Sequence, residues 1–383
     1  MNVFWYMCAP DGPYPWKPEG SRTVDFGYYK QLAMAYDHLG YTGALFATGA
    51  HDVWPLAGAL LPYAERMKFL LAFHPGLIAP TLLAKMAATM QEFSNGRILL
   101  NVVSGDAKML GAYGMTLPHD ERYLMADEYL TVWHRLMAGE TVTQKGRYFE
   151  TVGARLALPV GSTIAPPPLW FGGSSEAAID VAARHVDTYL SWGETPDEMG
   201  RKIEQVRARA AHYGRELSYG IRLYVIVRET DAKAWEAAAD LFGHMDEAAI
   251  AANQRFVSNT DSVGQQRMSR LHGGVKPENP RDLEIYPNLW AGIGLVRPGP
   301  GTAIVGSPDT VIRTLEAYQA VGVETFILSG MPLLEEAYRF GELVLPRLDL
   351  SRPEAAAAPK APARTYTWST LFDRDLSGNR IDG

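Results

Sequence analysis

The feature that most constrains this chain is an apolar run at residues 98–103, with the sequence ILLNVV. A turn at residues 94–96 (SNG) precedes the run, and a Ser-Gly pair that begins at Ser104 ends it. Such a run, with almost no polar alternation, is typical of a strand that is buried on both faces in a parallel sheet. The polar residues Asn101, Ser104 and Asp106 stand at its carboxyl end, which faces the ligand in a parallel barrel.

The same unit of a short apolar strand followed by a helix recurs along the chain. Eight strands are predicted, at residues 2–8, 41–46, 67–73, 97–103, 166–171, 187–192, 219–227 and 323–329. The alternation stops over about residues 246–300, and a connection of that length is typical of a binding loop or lid. We therefore predict the α/β fold class, as a (β/α)8 TIM barrel over residues 1–350 with a lid insertion before the eighth strand. A C-terminal extension, residues 351–383, combines Pro/Ala-rich and aromatic segments and is expected to pack as an arm on a partner subunit.

Composition narrows the class of partner. The chain has 383 residues, with 36 Lys and Arg against 43 Asp and Glu, for a net charge of −7. Because no basic block occurs, neither nucleic acid nor a membrane surface is expected as a partner. The single Cys8 excludes an internal disulfide and a multi-cysteine metal site, and the short apolar N-terminus lacks a basic leader. A cytoplasmic location and no bound metal are expected.

A Gly-Gly-Ser-Ser sequence follows the fifth predicted strand and precedes a helix. It comprises Gly172, Gly173, Ser174 and Ser175. Free backbone N–H groups, a helix dipole and two hydroxyls suit a phosphate. An ordinary helix N-cap preceded by glycine has the same composition, so both interpretations stay open at this stage.

Four other positions near strand ends suit a heterocycle. Asn101 and Ser104 could hydrogen-bond to it, and Trp192 could stack beside it or simply pack at the barrel rim. His119 could act as an acid, a base or a hydrogen-bonding group, or remain a solvated loop histidine.

Arg222 is the most informative single residue, because it interrupts the apolar run of residues 219–227. A guanidinium group there must be paired or must face a polar cavity, and we favour a cavity that takes an anion. Arg297 could close a second clamp on that anion or lie exposed in its loop. The sequence contains no motif for a metal, nucleotide or esterase site: it lacks metal-binding spacing, a Walker A motif, GxGxxG and GxSxG. The residues alone predict a phosphate-bearing cofactor and an anionic substrate.

Nine short motifs occur in order through most of the chain. They are EGSR (19–22), GYTGAL (40–45), SNGR (94–97), FGGSS (171–175), SWGE (191–194), IRLYVIVRET (221–230), TDSVGQQR (260–267), NLWAGIGLVR (288–297) and LSGMPLLEEAYR (328–339). Together they resemble the alkanesulfonate monooxygenases, which belong to the bacterial luciferase-like flavin enzymes. The resemblance implies a two-component enzyme. A separate NAD(P)H-dependent flavin reductase would supply FMNH2, which would react with O2 in the barrel to cleave an organosulfonate into sulfite and an aldehyde.

The resemblance also implies functions for particular residues. The flavin and its phosphate would be held by Asn101, His119, Tyr123, Gly172, Gly173, Ser174, Ser175 and Trp192. Arg222 and Arg297 would bind the sulfonate and the reacting oxygen, with Arg297 on a mobile lid that excludes water. A homodimer or homotetramer is expected.

The chain departs from the family pattern where the substrate would lie. Ala50 and His51 stand where the family has a Cys, and Tyr224 stands where it has a His. Met331 and Leu333 replace a Tyr and a His after the eighth strand. We predict that Tyr224 and His51 supply the missing proton donors, and that Met331 and Leu333 contact an altered substrate.

Trp16, in the loop after the first strand, adds an aromatic surface that suits a sugar face, or else packs against the lid. The expected substrate is therefore a sugar sulfonate such as sulfoquinovose, giving sulfite and 6-oxo-glucose, rather than a simple alkanesulfonate. Two alternatives stay open. One is a luciferase-like enzyme that acts on a non-sulfonate, such as a sulfone or a hydride acceptor for a deazaflavin. The other is a catalytically silent flavin-binding protein.

Overall fold

The chain forms strands and helices in regular alternation, in a computed structural model that describes residues 1–157, 165–258 and 260–351. The strands are β1 Asn2–Met7, β2 Gly43–Phe46, β3 Lys68–Phe73, β4 Ile98–Val102, β5 Val142–Lys145, β6 Glu150–Ala154, β7 Leu169–Gly172, β8 Thr188–Trp192, β9 Ser218–Val227, β10 Glu284–Tyr286, β11 Leu289–Trp290, β12 Ala303–Gly306 and β13 Thr325–Ser329. The helices are α1 Phe26–Leu39, α2 Val53–Leu60, α3 Pro80–Phe93, α4 Ala107–Ala112, α5 His119–Met137, α6 Glu176–His185, α7 Pro196–Ala211, α8 Asp231–Gly243, α9 Glu247–Val257, α10 Val263–His272, α11 Pro308–Ala320 and α12 Leu333–Leu343. Residues 352–383 of the predicted C-terminal arm lie outside the described residues, so its docking on a partner stays a prediction.

Eight of these strands close into a parallel barrel. They are β1, β2, β3, β4, β7, β8, β9 and β13. The ring is complete because β8 pairs with β9, while β13 pairs with both β9 and β1. Helices between successive parallel strands must cross outside the sheet, so they form an outer layer. The predicted α/β class and TIM barrel are confirmed.

Apolar side chains fill the barrel and leave little free space. The ring of Phe4 on β1 meets the ring of Trp170 on β7 edge to face, with centroids 5.1 Å apart. Gly43 on β2 is needed beside this pair, since a Cβ there would lie 2.4 Å from the Phe4 ring. The interior at this level is therefore a packed core.

The connection between α8 and β13 contains more regular structure than the sequence predicts. It holds α9 and α10, the short antiparallel pair β10 and β11, then β12 and α11. Strand β12 pairs in parallel with the far end of β9, where Ala303 lies opposite Tyr224. Neither β12 nor the hairpin of β5 and β6 was predicted. The hairpin is largely exposed or half-buried, so it lacks the apolar run that marks the barrel strands. We use "lid" for residues 244–258, 260–272 and 292–299, which include α9 and α10.

Two kinds of feature are absent from residues 1–157, 165–258 and 260–351. Within these ranges, none of the helices combines the length and apolar character that a membrane span requires. The same residues contain no group of three or more His, Cys, Asp and Glu side chains that could hold a metal ion.

Candidate active site

A cavity of about 660 Å³ lies at the carboxyl ends of the barrel strands, beneath the lid. Its wall includes Tyr6 from β1, Asn101 from β4, Gly172 from β7 and Arg222 from β9. Because parallel barrel strands all end at the same face, side chains that are distant in sequence meet there. The volume lies within the range of ordinary cofactor and substrate sites.

The cavity collects most of the residues that the sequence singled out. Those lining it are Trp16, Asn101, His119, Tyr123, Gly172, Gly173, Ser174, Ser175, Trp192, Arg222, Tyr224, Arg297, Met331 and Leu333. Their chemical functions stay predictions, but the structure brings them together around one space.

His51 is the exception. It lies exposed in the loop after β2 and is not part of the cavity wall. Its Nδ1 is 3.3 Å from the hydroxyl of Tyr29, and that hydroxyl accepts a hydrogen bond from the backbone N–H of Ala9. The structure therefore places His51 behind the wall, and its proposed function as a proton donor stays a prediction.

One end of the cavity is built from hydroxyls and a lysine. Lys202, on α7, donates to the Ser174 hydroxyl at 3.2 Å and to the Ser191 hydroxyl at 3.0 Å. It also forms an ion pair with Glu194, which accepts from Ser191 at 2.7 Å. We call Ser174, Ser191, Glu194 and Lys202 the serine-lysine end. Ser175 beside it caps α6 by accepting from the N–H of Ala178 at 3.2 Å, so the N-cap interpretation holds for Ser175 and leaves Ser174 free for another partner.

The charges at the serine-lysine end are shared with the lid. Arg267, on α10, forms a second ion pair with Glu194, whose side chain is only 3% exposed. Burial lowers the pKa of Lys202 to about 8, although the Glu194 carboxylate opposes the shift. One carboxylate therefore serves two cations, and a net positive charge remains beside the N-terminus of α6.

The middle of the cavity suits a flat heterocycle. Asn101 has a buried Oδ1 that finds no hydrogen-bond partner among the described residues. Opposite polar groups are the hydroxyls of Ser104 and Tyr123, 3.3 Å apart, and the ring of His119 lies edge to face with that of Tyr123 at 5.0 Å. An unpaired buried amide oxygen is costly unless a ligand supplies a donor, as the ring N–H groups of a flavin do. With a cation and a helix N-terminus at one end, the residues fit a flavin mononucleotide.

The other end of the cavity holds two guanidinium groups and two phenols. The guanidinium carbon of Arg222 lies 3.9 Å from the ring centroid of Tyr6, and that of Arg297 lies 5.2 Å from the ring centroids of both Tyr6 and Tyr224. We call Tyr6, Arg222, Tyr224 and Arg297 the arginine end. Burial lowers the pKa of Arg222, but a guanidinium of this kind stays protonated in proteins.

No described carboxylate neutralises the arginine end. Neither Arg222 nor Arg297 takes part in any of the ion pairs among the described residues. In the same part of the chain, the buried atoms Nε and Nη2 of Arg222 and Nη1 of Arg297 have no hydrogen-bond partner. Unpaired buried charge is unfavourable, so this end fits an anionic ligand.

Sequence reasoning missed several wall residues, among them Tyr6, His74 and Lys202. Tyr6 and His74 stand at the carboxyl ends of β1 and β3, so the rule that found Asn101 would have found them. The Nδ1 of His74 lies 2.9 Å from the carbonyl oxygen of Val103 and donates to it, because a carbonyl can only accept. The Nε2 of His74 is buried without a partner among the described residues. Nothing in the sequence marked Lys202 as a site residue, because a lysine on a helix is usually a solvated side chain.

The lid is fastened to the barrel by polar contacts on both sides. Asp261 accepts from the buried Arg122 at 2.7 Å, and the Thr260 hydroxyl donates to Asp106 at 3.0 Å. On the far side, the indole N–H of Trp16 donates to the carbonyl of His244 at 3.0 Å. Trp16 thus packs near the lid and also lines the cavity, and its contact with a sugar stays a prediction.

Comparison with known proteins agrees with this architecture. The luciferase-like monooxygenase family pattern matches residues 4–325. EDTA monooxygenase from Chelativorans sp. BNC1 is 21% identical, with a TM-score of 0.71 over 91% of this chain and 93% of that chain. Long-chain alkane monooxygenase is 20% identical, with a TM-score of 0.73 over 91% of each chain.

A third similar structure contains a flavin. The oxygenating constituent of 3,6-diketocamphane monooxygenase from Pseudomonas putida, a type II Baeyer-Villiger monooxygenase in complex with FMN, is 17% identical, with a TM-score of 0.64 over 89% of this chain and 99% of that chain. At these identities the structural likenesses establish the fold alone. The family pattern, however, spans most of the sequence. The chain therefore belongs to the luciferase-like monooxygenase family.

Proposed function

We propose that this protein is an FMNH2-dependent monooxygenase that cleaves the carbon-sulfur bond of an organosulfonate, with a sugar sulfonate such as sulfoquinovose as the preferred substrate. The observation that carries the proposal is the arginine end, where Arg222 and Arg297 face the cavity without a described carboxylate. A sulfonate keeps its negative charge at any physiological pH and offers three oxygens to such donors.

The reaction can be written with its atoms balanced. A sulfonate R-CH2-SO3⁻, O2 and FMNH2 give R-CHO, sulfite, FMN, water and one proton. The carbon-sulfur bond breaks, one oxygen atom of O2 ends in the aldehyde and the other in water. FMNH2, when bound, supplies two of the four electrons that reduce O2, and the substrate supplies the other two as its carbon is oxidised to the aldehyde. The protein must orient the substrate and keep bulk water away.

The residues of this chain divide that work between the two ends. Lys202 and the hydroxyl of Ser174 would hold the flavin phosphate, and Asn101 would accept from the flavin ring. Arg222 and Arg297 would hold the sulfonate, which fixes the carbon-sulfur bond between the two ends. Tyr224 lines the same end and has a phenol that could supply a proton.

The residues of the cavity wall suit more than one kind of sulfonate substrate. Trp16 and Trp192 offer aromatic faces, and the unpaired Nε2 of His74 offers an acceptor for a sugar hydroxyl. Met331 and Leu333 are apolar wall residues that would suit an alkyl chain, so a simple alkanesulfonate is the second candidate. A separate NAD(P)H-dependent flavin reductase is the proposed source of FMNH2, and a homo-oligomer is the proposed assembly.

The test is sulfite release with FMNH2 supplied by any flavin reductase, over a panel of methanesulfonate, octanesulfonate and sulfoquinovose. Sulfite from sulfoquinovose, dependent on both FMNH2 and O2, supports the proposal as stated. Sulfite from octanesulfonate alone would assign the alkyl substrate. If none of the three yields sulfite while FMNH2 is oxidised, the sulfonate function is wrong and a non-sulfonate substrate takes its place.

A further inference from the structure

Tyr6 occupies the one place in the arginine end that both guanidinium groups share. Its ring faces Arg222 at 3.9 Å and Arg297 at 5.2 Å, whereas the ring of Tyr224 meets only Arg297. Two like charges held this close repel each other, and the negative face of an aromatic ring offsets part of that repulsion. Tyr6 is 8% exposed, and it belongs to the cavity wall.

The hydroxyl of Tyr6 lies at the junction of the same groups. It is close to the side chains of Arg222, Arg297 and Cys8. Guanidinium groups can only donate, so neither arginine takes up the hydrogen of the Tyr6 phenol. Burial raises the pKa of Tyr6, even though both arginines oppose the shift, so the phenol remains protonated at neutral pH.

We propose that Tyr6 is the third member of the anion site, where its ring holds the two guanidinium groups together and its hydroxyl donates a hydrogen bond to a sulfonate oxygen. This inference rests on the proposed function. A tetrahedral sulfonate has three oxygens, which match two guanidinium groups and one phenol. A planar carboxylate has two oxygens, which the two arginines satisfy alone. Tyr6 is thus a residue that selects sulfonates over carboxylates.

Two variants distinguish the contribution of the Tyr6 ring from that of its hydroxyl. Tyr6→Phe keeps the aromatic face and removes the donor, while Tyr6→Leu removes both. Tyr219→Phe is the matched control, because Tyr219 is also a buried tyrosine with an arginine, Arg207, 5.7 Å from its ring, and it lies outside the cavity wall. Dissociation constants would be measured by calorimetry on the FMN-loaded protein, with sulfoquinovose against glucuronate and octanesulfonate against nonanoate.

The expected result is selective. Tyr6→Phe should weaken sulfonate binding about 10-fold or more and leave carboxylate binding within about twofold, since one charge-assisted hydrogen bond is lost. Tyr6→Leu should weaken both ligand classes, because the guanidinium groups lose their shared support. Equal losses for sulfonates and carboxylates in Tyr6→Phe, or no loss at all, would overturn the inference. If Tyr6→Leu does not fold, Tyr6→Phe alone decides the matter.

A parallel titration of Arg222→Met shows whether a negative result concerns only Tyr6 or the proposed sulfonate function as a whole. If Arg222→Met abolishes sulfonate binding while Tyr6→Phe binds like the wild type, only the inference about Tyr6 is wrong. If the wild type binds no sulfonate, or Arg222→Met binds as well as the wild type, the sulfonate function itself is wrong.

Discussion

The serine-lysine end and the arginine end are both positively charged, yet they are built in different ways. Lys202 pairs with Glu194 at the first, and that carboxylate also pairs with Arg267 of the lid. At the second, Arg222 and Arg297 have no carboxylate among the described residues and rest on aromatic rings instead. A buried charge is tolerable when it is paired, and costly when it is not. The first end is therefore complete before a ligand binds, while the second requires an anion to complete it.

The largest expected effect comes from breaking the arginine end. Arg222→Met should reduce sulfonate-dependent sulfite release at least about 100-fold, because a buried charged contact to the substrate is lost. Its thermal midpoint should stay equal or rise, since one of two unpaired like charges is removed. Both quantities are measured on purified protein. Arg281→Met is the control, because Arg281 stacks on Trp235 at 3.7 Å outside the cavity wall and should not change turnover. A clear fall in the thermal midpoint of Arg222→Met would mean that the Arg222 charge stabilises the fold, contrary to the difference proposed between the two ends.

The next effect tests the serine-lysine end as a phosphate site. Lys202→Met should weaken FMN binding about 10-fold, since a charged hydrogen bond is removed, and should leave riboflavin binding unchanged because riboflavin has no phosphate. Fluorescence titration measures both flavins. Lys233→Met is the control, since Lys233 is an exposed lysine on α8 whose ion pair is with Glu229. Equal losses for FMN and riboflavin would mean that Lys202 does not contact the phosphate.

A pH titration sharpens the comparison, because Lys202 can lose its charge near pH 8 whereas the two arginines keep theirs. The pKa of Lys202 is lowered to about 8 by burial, so its charge is present below that pH and is lost as the pH rises above it. FMN affinity should therefore fall by several-fold between about pH 7.5 and 9.5, with little change for riboflavin. Lys202→Arg should abolish the pH dependence, because arginine keeps its charge. Sulfonate affinity at saturating flavin should be flat over this range, and a matching decline there would contradict the assignment.

The smallest effect concerns the lid, which covers both ends. Thr260→Val removes the 3.0 Å hydrogen bond to Asp106 and should loosen closure by about two- to fivefold. The readout is the ratio of hydrogen peroxide to sulfite released, which should rise because water reaches the reacting centre more often. Thr131→Val is the control, since Thr131 bonds to the carbonyl of Asp127 on an exposed helix face. Arg222→Met and Lys202→Met each act on one ligand, whereas Thr260→Val should affect the binding of FMN and of the sulfonate alike.

Much of the fold was predictable from local sequence, for a simple reason. The barrel strands are buried on both faces, so residues such as 98–103 must be almost wholly apolar, and this is visible without a structure. The hairpin of β5 and β6, which is largely exposed or half-buried, lacked that signal. The site was predictable in part, because polar residues within apolar strands, such as Asn101 and Arg222, contradict their apolar surroundings.

What the sequence by itself determined is the barrel and the presence of a guanidinium group inside it. The tertiary structure alone decided which groups meet there. Tyr6 and Arg222 are far apart along the chain, yet β1 and β9 both pair with β13, which brings a phenol and a guanidinium to 3.9 Å. Lys202 likewise reaches Ser174 and Glu194 only because α7 packs beside that end of the barrel. Closure of a barrel depends on hydrogen bonds between strands that are not neighbours in sequence, and no local pattern records which side chains those bonds bring into contact.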